Sequence, residues 1–174
     1  YDYLPVMAGQ GTCALEIAEE VANLDALIVC TGGGGFLSGC AVAAKAVQPA
    51  IKVYGAEPEA GNDVQRSLRS GQIVSIDVPK TICDGQQTQA VGNYPWEVIR
   101  TMVSDVLTAA DATVIDAMRF AFERMKLVLE PSGACALAAL MANRTSFAGQ
   151  RVAVTLSGGN IDFGRFSALM QTRH

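Results

Sequence analysis

Val29-Cys30-Thr31-Gly32-Gly33-Gly34-Gly35-Phe36-Leu37-Ser38-Gly39 sets four consecutive glycines between two segments of different character. Ahead of them the apolar, β-branched run Ala26 to Cys30 reads as a buried strand, and after them Phe36 to Val47 reads as a helix. A side chain on any of the four would keep the backbone from closing around a bound group. Glycine alone also tolerates the positive φ that turns successive N–H groups towards one point. The stretch predicts an anion cup at the positive end of the following helix, with a phosphate as its natural occupant. The plainer alternative is a flexible turn, although so many glycines cost chain entropy that a simple turn does not require. It matches neither a P-loop, which needs Lys-Ser/Thr after the glycines, nor G-x-G-x-x-G.

Working outward, Thr12 follows Gly9-Gln10-Gly11 and precedes Ala14, Leu15, Ile17, Ala18 and Val21 at helical spacing, which predicts Thr12 as N-cap of a helix running to Asn23. On the other side, Pro49 ends the helix before a second strand, Lys52 to Ala56, completing a βαβ unit whose two strands must run parallel. A short helix through Leu68 stops at Gly71, and an irregular region then extends to Tyr94, long for a plain connection. Next are expected a helix Trp96 to Val103, a short strand near Val106 to Thr108, and a long helix from Ala112 to Leu127 capped by Asp111. Ser132 to Asn143 is apolar on every side and reads as a buried helix. The strand Arg151 to Leu156 delivers Ser157-Gly158-Gly159-Asn160 at its carboxyl end. This alternation predicts one α/β unit with a mainly parallel sheet and helices on both faces.

The composition suits a single unit with a sizeable core: 174 residues, half of them hydrophobic, and a net charge of -4. The thirteen Lys and Arg are scattered, so no basic stripe offers itself to nucleic acid. No apolar run reaches membrane-spanning length, and Tyr1 to Met7 lack the basic-then-apolar order of a signal peptide, so a cytoplasmic location with no membrane partner is expected. The five cysteines show no CxxC pair. Cys13, Cys30, Cys40 and Cys135 lie in Ala/Val-rich surroundings and read as structural buried thiols rather than metal or redox groups.

In open α/β sheets ligands gather beyond the carboxyl ends of the strands, so the tetraglycine loop and Ser157 to Asn160 should share one rim. One loop takes a phosphate. The other offers the Ser157 hydroxyl to a flat polar ring that Gly158 and Gly159 allow to approach closely.

Here the residues resemble the fold-type II (tryptophan synthase β-like) pyridoxal-phosphate enzymes, and within them the serine/threonine dehydratases and serine racemases. The likeness runs from Ala8 onward: Ala8-Gly9-Gln10-Gly11-Thr12, the glycine loop, Gly55-Ala56-Glu57-Pro58, Ile82-Cys83-Asp84-Gly85, Glu123-Arg124-Met125-Lys126, Glu130-Pro131-Ser132-Gly133 and Leu156-Ser157-Gly158-Gly159-Asn160. The resemblance implies pyridoxal 5'-phosphate as cofactor. Its phosphate would lie on the N–H groups of Gly32, Gly33, Gly34, Gly35 and Phe36, its ring nitrogen on Ser157 beside Gly158, and its ring edge near Gly85 and Glu130. Glu130 could equally cap the buried helix. Glu57, Gly61 and Asp63 match a divalent-cation site for Mg, Ca or Mn, with an acidic surface loop beside Glu59 as the alternative. The implied substrate is a small β-hydroxy amino acid, converted to a 2-oxo acid and ammonia, and the implied assembly is a homodimer.

The likeness is incomplete in one respect. The Schiff-base lysine of the family lies in a segment upstream of the motifs present here, and Lys45, Lys52, Lys80 and Lys126 do not match it. The resemblance therefore implies that residues 1–174 are the C-terminal part of the large cofactor-binding domain. The lysine segment and the small domain would be supplied by a missing N-terminal portion of the same polypeptide, and this chain alone would have no catalytic residue. A racemase, or a non-catalytic cofactor-binding module, remain as alternatives.

Overall fold

Five apolar residues, Ala26–Cys30, form β1, the second strand from one edge of a four-stranded sheet. A computed structural model describes residues 1–172. Arg173 and His174 lie outside the described residues, and with them the one histidine, to which the sequence assigns no role. β1 pairs in parallel with β2 (Lys52–Pro58), Ala26 opposite Lys52 and Cys30 opposite Ala56. Its other edge pairs in parallel with β4 (Val152–Val154), Ile28 opposite Val154. Outside β2 lies β3 (Asp105–Ala109), giving the order β3-β2-β1-β4.

β1 shows why both faces must be covered. Ala26 and Ile28 sink into a core shared with α5 (Asp111–Phe120), α6 (Pro131–Ala142) and α7 (Phe163–Gln171). Leu27 and Val29 enter a second core under α1 (Leu4–Glu20), α2 (Gly35–Val47) and α4 (Asn93–Met102). A strand buried on both faces reads as a continuous apolar run, as this one does. The remaining helix, α3 (Asp63–Ser70), ends on Gly71, whose φ of 75° is the left-handed stop expected there.

Four expectations need correction. Thr12 does not begin a helix: α1 starts eight residues earlier, with Pro5 in its first turn, and the Thr12 hydroxyl donates back to the Gly9 carbonyl at 2.8 Å. The glycines ahead of Thr12 serve contact with α2. A Cβ on Gly11 would stand 2.8 Å from the Gly39 carbonyl oxygen, and one on Gly39 would collide with the Met7 carbonyl. Asp111 is the first residue of α5 rather than its cap, and its carboxylate accepts from the Thr81 hydroxyl at 2.5 Å and the Ile82 N–H at 3.0 Å.

The helix expected through Leu127 is α-helical only to Phe120. It widens into a π turn, Ala121–Met125, and ends on Lys126 at φ 61°, where the Leu127 N–H closes back on the Ala121 carbonyl. Finally, only three residues of the stretch Arg151 to Leu156 pair as strand, while β2 runs on through Glu57 and Pro58.

The α1–α2 contact makes a direct test. Gly39→Ala in the full-length protein must push two backbones apart, and overpacking of this kind costs about 1–3 kcal/mol. Denaturant unfolding should show that loss; an unchanged midpoint would mean that the helices do not pack through these glycines.

Candidate functional site

The turn after β1 forms its cup from four glycines in different ways. Only Gly34 takes a positive φ, 93°, and it is the N-cap of α2. Its missing side chain leaves room for Pro95, Val91 and Ile99. Gly33 and Gly35 lie directly under Tyr1, and Gly32 lies beside the Gly85 carbonyl, 3.1 Å from where a Cβ would be. The Gly33 carbonyl accepts from Gly92 N–H at 3.0 Å, tying the loop to the start of α4. The N–H groups of the first turn of α2 have no acceptor within their own helix. They are donors at the positive end of a thirteen-residue helix.

Gly32 to Gly35 and Phe36 line a cavity of about 610 Å³ together with Gly85, Glu130 and Ser157. The two glycine loops share this rim because β1 and β4 are parallel neighbours. Gly158 stands behind the wall: a Cβ there would strike the Glu130 carboxylate, and one on Gly133 would strike Gly158. Glu130 is the N-cap residue of α6 through its backbone, its carbonyl accepting from Ala134 N–H at 3.1 Å. Its carboxylate makes no capping bond and lies against Gly158, while the residue lines the cavity.

Several wall residues escape a reading of the sequence. Ser132 accepts from the Gly85 N–H at 2.9 Å and so fixes that glycine at the cavity edge. Gln86 is buried, and its amide donates to the carbonyls of Thr31 and of Ala56, the latter at 2.8 Å, across the tips of β1 and β2. Cys30 and Cys13 are half-buried cavity-lining thiols, unlike the buried Cys40, Cys83 and Cys135, and the Cys30 sulfur lies 3.0 Å from the Ser157 hydroxyl. The pairing Glu130-Pro131-Ser132 and the position of Cys30 at a strand end were the only available signals.

Glu57, Gly61 and Asp63 are all buried, so the exposed-acidic-loop alternative fails; none of them lines the cavity. Glu57 caps α3 from a distance, its two oxygens accepting from Val64 N–H at 3.1 Å and Gln65 N–H at 3.0 Å. Both oxygens of Asp63 are buried without a partner. Burial, then the Asp63 charge, holds Glu57 well above the usual carboxylate range. Burial raises Asp63 to about 6, opposed by its own backbone N–H and by Arg66. No cluster of three or more His, Cys, Asp or Glu side chains suited to a metal occurs among the described residues, so any cation here would need the Gly61 carbonyl and water.

None of the four lysines lines the cavity. Lys45 donates to the Ile51 carbonyl at 2.9 Å and Lys126 to the Glu123 carbonyl at 2.8 Å; Lys52 opens β2, and Lys80 lies in the loop before Gly85.

A strand, a glycine cup at a helix N-terminus and a hydroxyl-bearing second loop on the same rim define a cofactor-binding α/β domain. The chain belongs to the pyridoxal-phosphate dependent enzyme family, whose model matches residues 1–158. It is 50% identical over 171 residues to an L-threo-3-hydroxyaspartate ammonia-lyase of Pseudomonas sp, a match that covers 98% of this chain and 54% of that protein. It is 52% identical over 167 residues to a serine racemase of Schizosaccharomyces pombe, 96% of this chain and 52% of that one. The crystal structure of a threonine deaminase from T.th. superposes with a TM-score of 0.89 at 39% identity, over 94% of this chain and 54% of that one. The fold is thus the fold-type II large-domain architecture expected, and the chain spans about half the length of the curated relatives it matches.

The Asp63 carboxylate gives a pH prediction. Its folded value is raised above the ordinary 3.8 to about 6. The folded state therefore holds a proton that the unfolded state gives up between these values, and stability falls as pH rises through that window. With cations removed by chelator, Asp63→Asn should melt higher than the parent at pH 7 and no differently at pH 3.5. Equal melting temperatures at both pH values would show that the buried carboxylate carries no such penalty.

Proposed function

We propose that the full-length protein is a pyridoxal-phosphate-dependent ammonia-lyase acting on serine- or threonine-type β-hydroxy amino acids, and that residues 1–174 are the C-terminal part of its large domain. One observation carries the reading: a single cavity is lined together by the first turn of α2, Ser157, Gly85 and Glu130. The residues fit the cofactor. Gly33 and Gly35 leave a space over the cup in which Tyr1 lies, so a phosphate enters with Tyr1 displaced, and the hydroxyl on the far wall makes no bond to a carboxylate or cation.

In this reading the N–H groups of Gly33 to Phe36 hold the phosphate, the Ser157 hydroxyl faces the ring nitrogen, and Gly85 and Glu130 border the ring edge. When bound, the cofactor supplies an electron sink for bonds broken at the α-carbon of an amino acid. A hydroxyl, unlike a carboxylate, does not enforce a positive charge on the ring nitrogen, which suits loss of a β-hydroxyl over transamination. The lysine and the substrate-carboxylate pocket come from a part of the polypeptide outside this chain, in keeping with four lysines that all lie away from the cavity. Glu57, the Gly61 carbonyl and Asp63 take a divalent cation, Mg, Ca or Mn, supported by the two unpaired Asp63 oxygens. The protein acts as a homodimer.

A second reading is a serine racemase, favoured by the 52% identity to the Schizosaccharomyces pombe enzyme. The two readings separate on one assay. Full-length protein given L-serine, L-threonine and L-threo-3-hydroxyaspartate should release ammonia and the 2-oxo acid; D-serine as main product selects the racemase, and no turnover of any substrate leaves only a binding module.

Three further outcomes are expected. Ser157→Ala should weaken cofactor binding by about 1 kcal/mol, one hydrogen bond; an unchanged Kd and absorption spectrum would remove Ser157 from the ring nitrogen. Chelator should lower the melting temperature of the full-length protein through loss of bound cation, and Asp63→Ala should abolish that response; equal responses would eliminate the site. Residues 1–174 alone should aggregate or self-associate and show no turnover, given exposed apolar side chains such as Leu4, Phe122, Val128 and Phe163. Ammonia release by the isolated chain would overturn the assignment of the lysine to another segment.

A further inference from the structure

Cys30 and Ser157 meet because of strand register. Cys30 ends β1, and Ser157 follows β4 by three residues; with Ile28 opposite Val154, the two chain ends emerge side by side on the rim. Sγ and Oγ are 3.0 Å apart, and geometry alone allows either to donate. The Ser157 hydroxyl has one proton and two lone pairs, and it makes no other side-chain bond among the described residues.

The chemistry of the pair fixes the direction once a ring nitrogen is the second partner. A hydroxyl proton can serve one acceptor, and an aromatic nitrogen lone pair is a far better acceptor than a thiol sulfur. Burial, opposed chiefly by the Ser157 contact, pushes the Cys30 thiol above its usual range, so it keeps its S–H at neutral pH. The proton between sulfur and oxygen is then the thiol's.

We propose that Cys30 is a positioning residue whose S–H donates to the Ser157 oxygen and turns the Ser157 proton into the cavity, towards an unprotonated ring nitrogen. This rests on the reading of Ser157 as the partner of that nitrogen. The relay runs S–H to O–H to N, with each donor used once and no bond made or broken. It also biases the site against a protonated ring: to accept from a ring N–H, the Ser157 hydroxyl would have to turn its proton away from the cavity, where its one side-chain neighbour is the sulfur, a weak acceptor. Cys30 thereby acts on cofactor electronics without touching the cofactor.

The test compares two ligands on full-length protein stripped of cofactor: pyridoxal 5'-phosphate and its 1-deaza analogue, in which C–H replaces the ring nitrogen. Equilibrium dialysis gives a Kd for each, and the ratio reads the nitrogen contact while cancelling effects on phosphate binding and on the folded fraction. The parent should favour the natural cofactor by about tenfold, the scale of one hydrogen bond in a dry site. Ser157→Ala should bring the ratio close to one. Cys30→Val should lower it about threefold, since the hydroxyl loses its orienting donor. Cys30→Ser, which restores a donor, should recover the parental ratio, and Cys30→Ala carries the same expectation as valine should valine not fold.

A parental ratio near one, or a preference that survives Ser157→Ala, would defeat the Ser157 reading and this inference with it. A preference lost in Ser157→Ala but undiminished in Cys30→Val and Cys30→Ala would overturn the role of Cys30 alone, as would failure of Cys30→Ser to restore it.

Discussion

Parallel pairing of β1 on both of its edges is the constraint from which the cavity follows. Because β2 and β4 run in the same direction as β1, the chain leaves all three at one rim, bringing the glycine cup, Glu57 and the Ser157 loop to the same end of the sheet. Had either neighbour been antiparallel, its outgoing loop would lie a strand length away, at about 3.3 Å per residue. The pairing is in turn enforced by burial. Both faces of β1 are covered, so the strand cannot slip by one residue without exchanging Leu27 and Val29 for Ala26 and Ile28 in two cores of different shape.

The rim is then held by buried polar groups. Thr31 accepts the Ala56 N–H on its hydroxyl at 3.2 Å, and the Gln86 amide spans the carbonyls of the same two residues. Where β1 and β2 stop pairing, their last backbone groups would otherwise be buried without partners, at roughly 1–3 kcal/mol each. Gln86 satisfies the Thr31 carbonyl, adds a second donor to the Ala56 carbonyl, which already accepts the Thr31 N–H at 2.9 Å, and at the same time carries Gly85 to the cavity edge. Asp2 does similar work at the cup: its carboxylate accepts from the N–H groups of Tyr94 at 2.8 Å and Asn93 at 3.0 Å, which lower its pKa and cap α4 while Tyr1 rests on Gly33.

The sequence made β1, β2, the cup and the α6 helix legible because each is specified by neighbours in the chain: an apolar run, a proline stop, a glycine block, an Ala-rich stretch. What it hid depends on partners far away. Gly9-Gln10-Gly11-Thr12 looks like a helix start, since glycine and threonine favour caps, and only the approach of Gly39 shows why glycines lie inside α1. Asp111 looks like a cap for the same local reason, but its partners are thirty residues back, at Thr81 and Ile82. Of the candidate site, the glycines, Ser157 and Glu130 were visible as motifs. Gln86 and Cys30 were not, because a buried amide and a thiol beside a serine have no spacing rule; Ser132 stood in the Glu130-Pro131-Ser132-Gly133 motif, but its bond to the Gly85 N–H joins residues 47 apart. The burial of Glu57 and Asp63 was hidden too, since a run of acids with Gly and Asn reads as a surface loop until the sheet is assembled.

The irregular segment between α3 and α4 is ordered by contacts of this long-range kind, and one of them reaches the second glycine loop. Asp162, two residues beyond Asn160, caps α7 by accepting the Arg165 N–H at 2.8 Å. The Arg165 side chain then bonds Asp84 at 2.8 Å and the Ile82 carbonyl at 2.8 Å. The ion pair is exposed enough to contribute little by charge alone. Its consequence is geometric: a single residue fixes the start of α7, immediately after Ser157 to Asn160, to the backbone just ahead of Gly85. Two walls of the cavity that are far apart in the sequence therefore share one clamp. Ile82, Gly85 and Gln86 are neighbours along this segment, and the Gln86 amide reaches on to the carbonyl of Thr31, after which the glycine cup begins, so one run of hydrogen bonds joins the start of α7 to the cup.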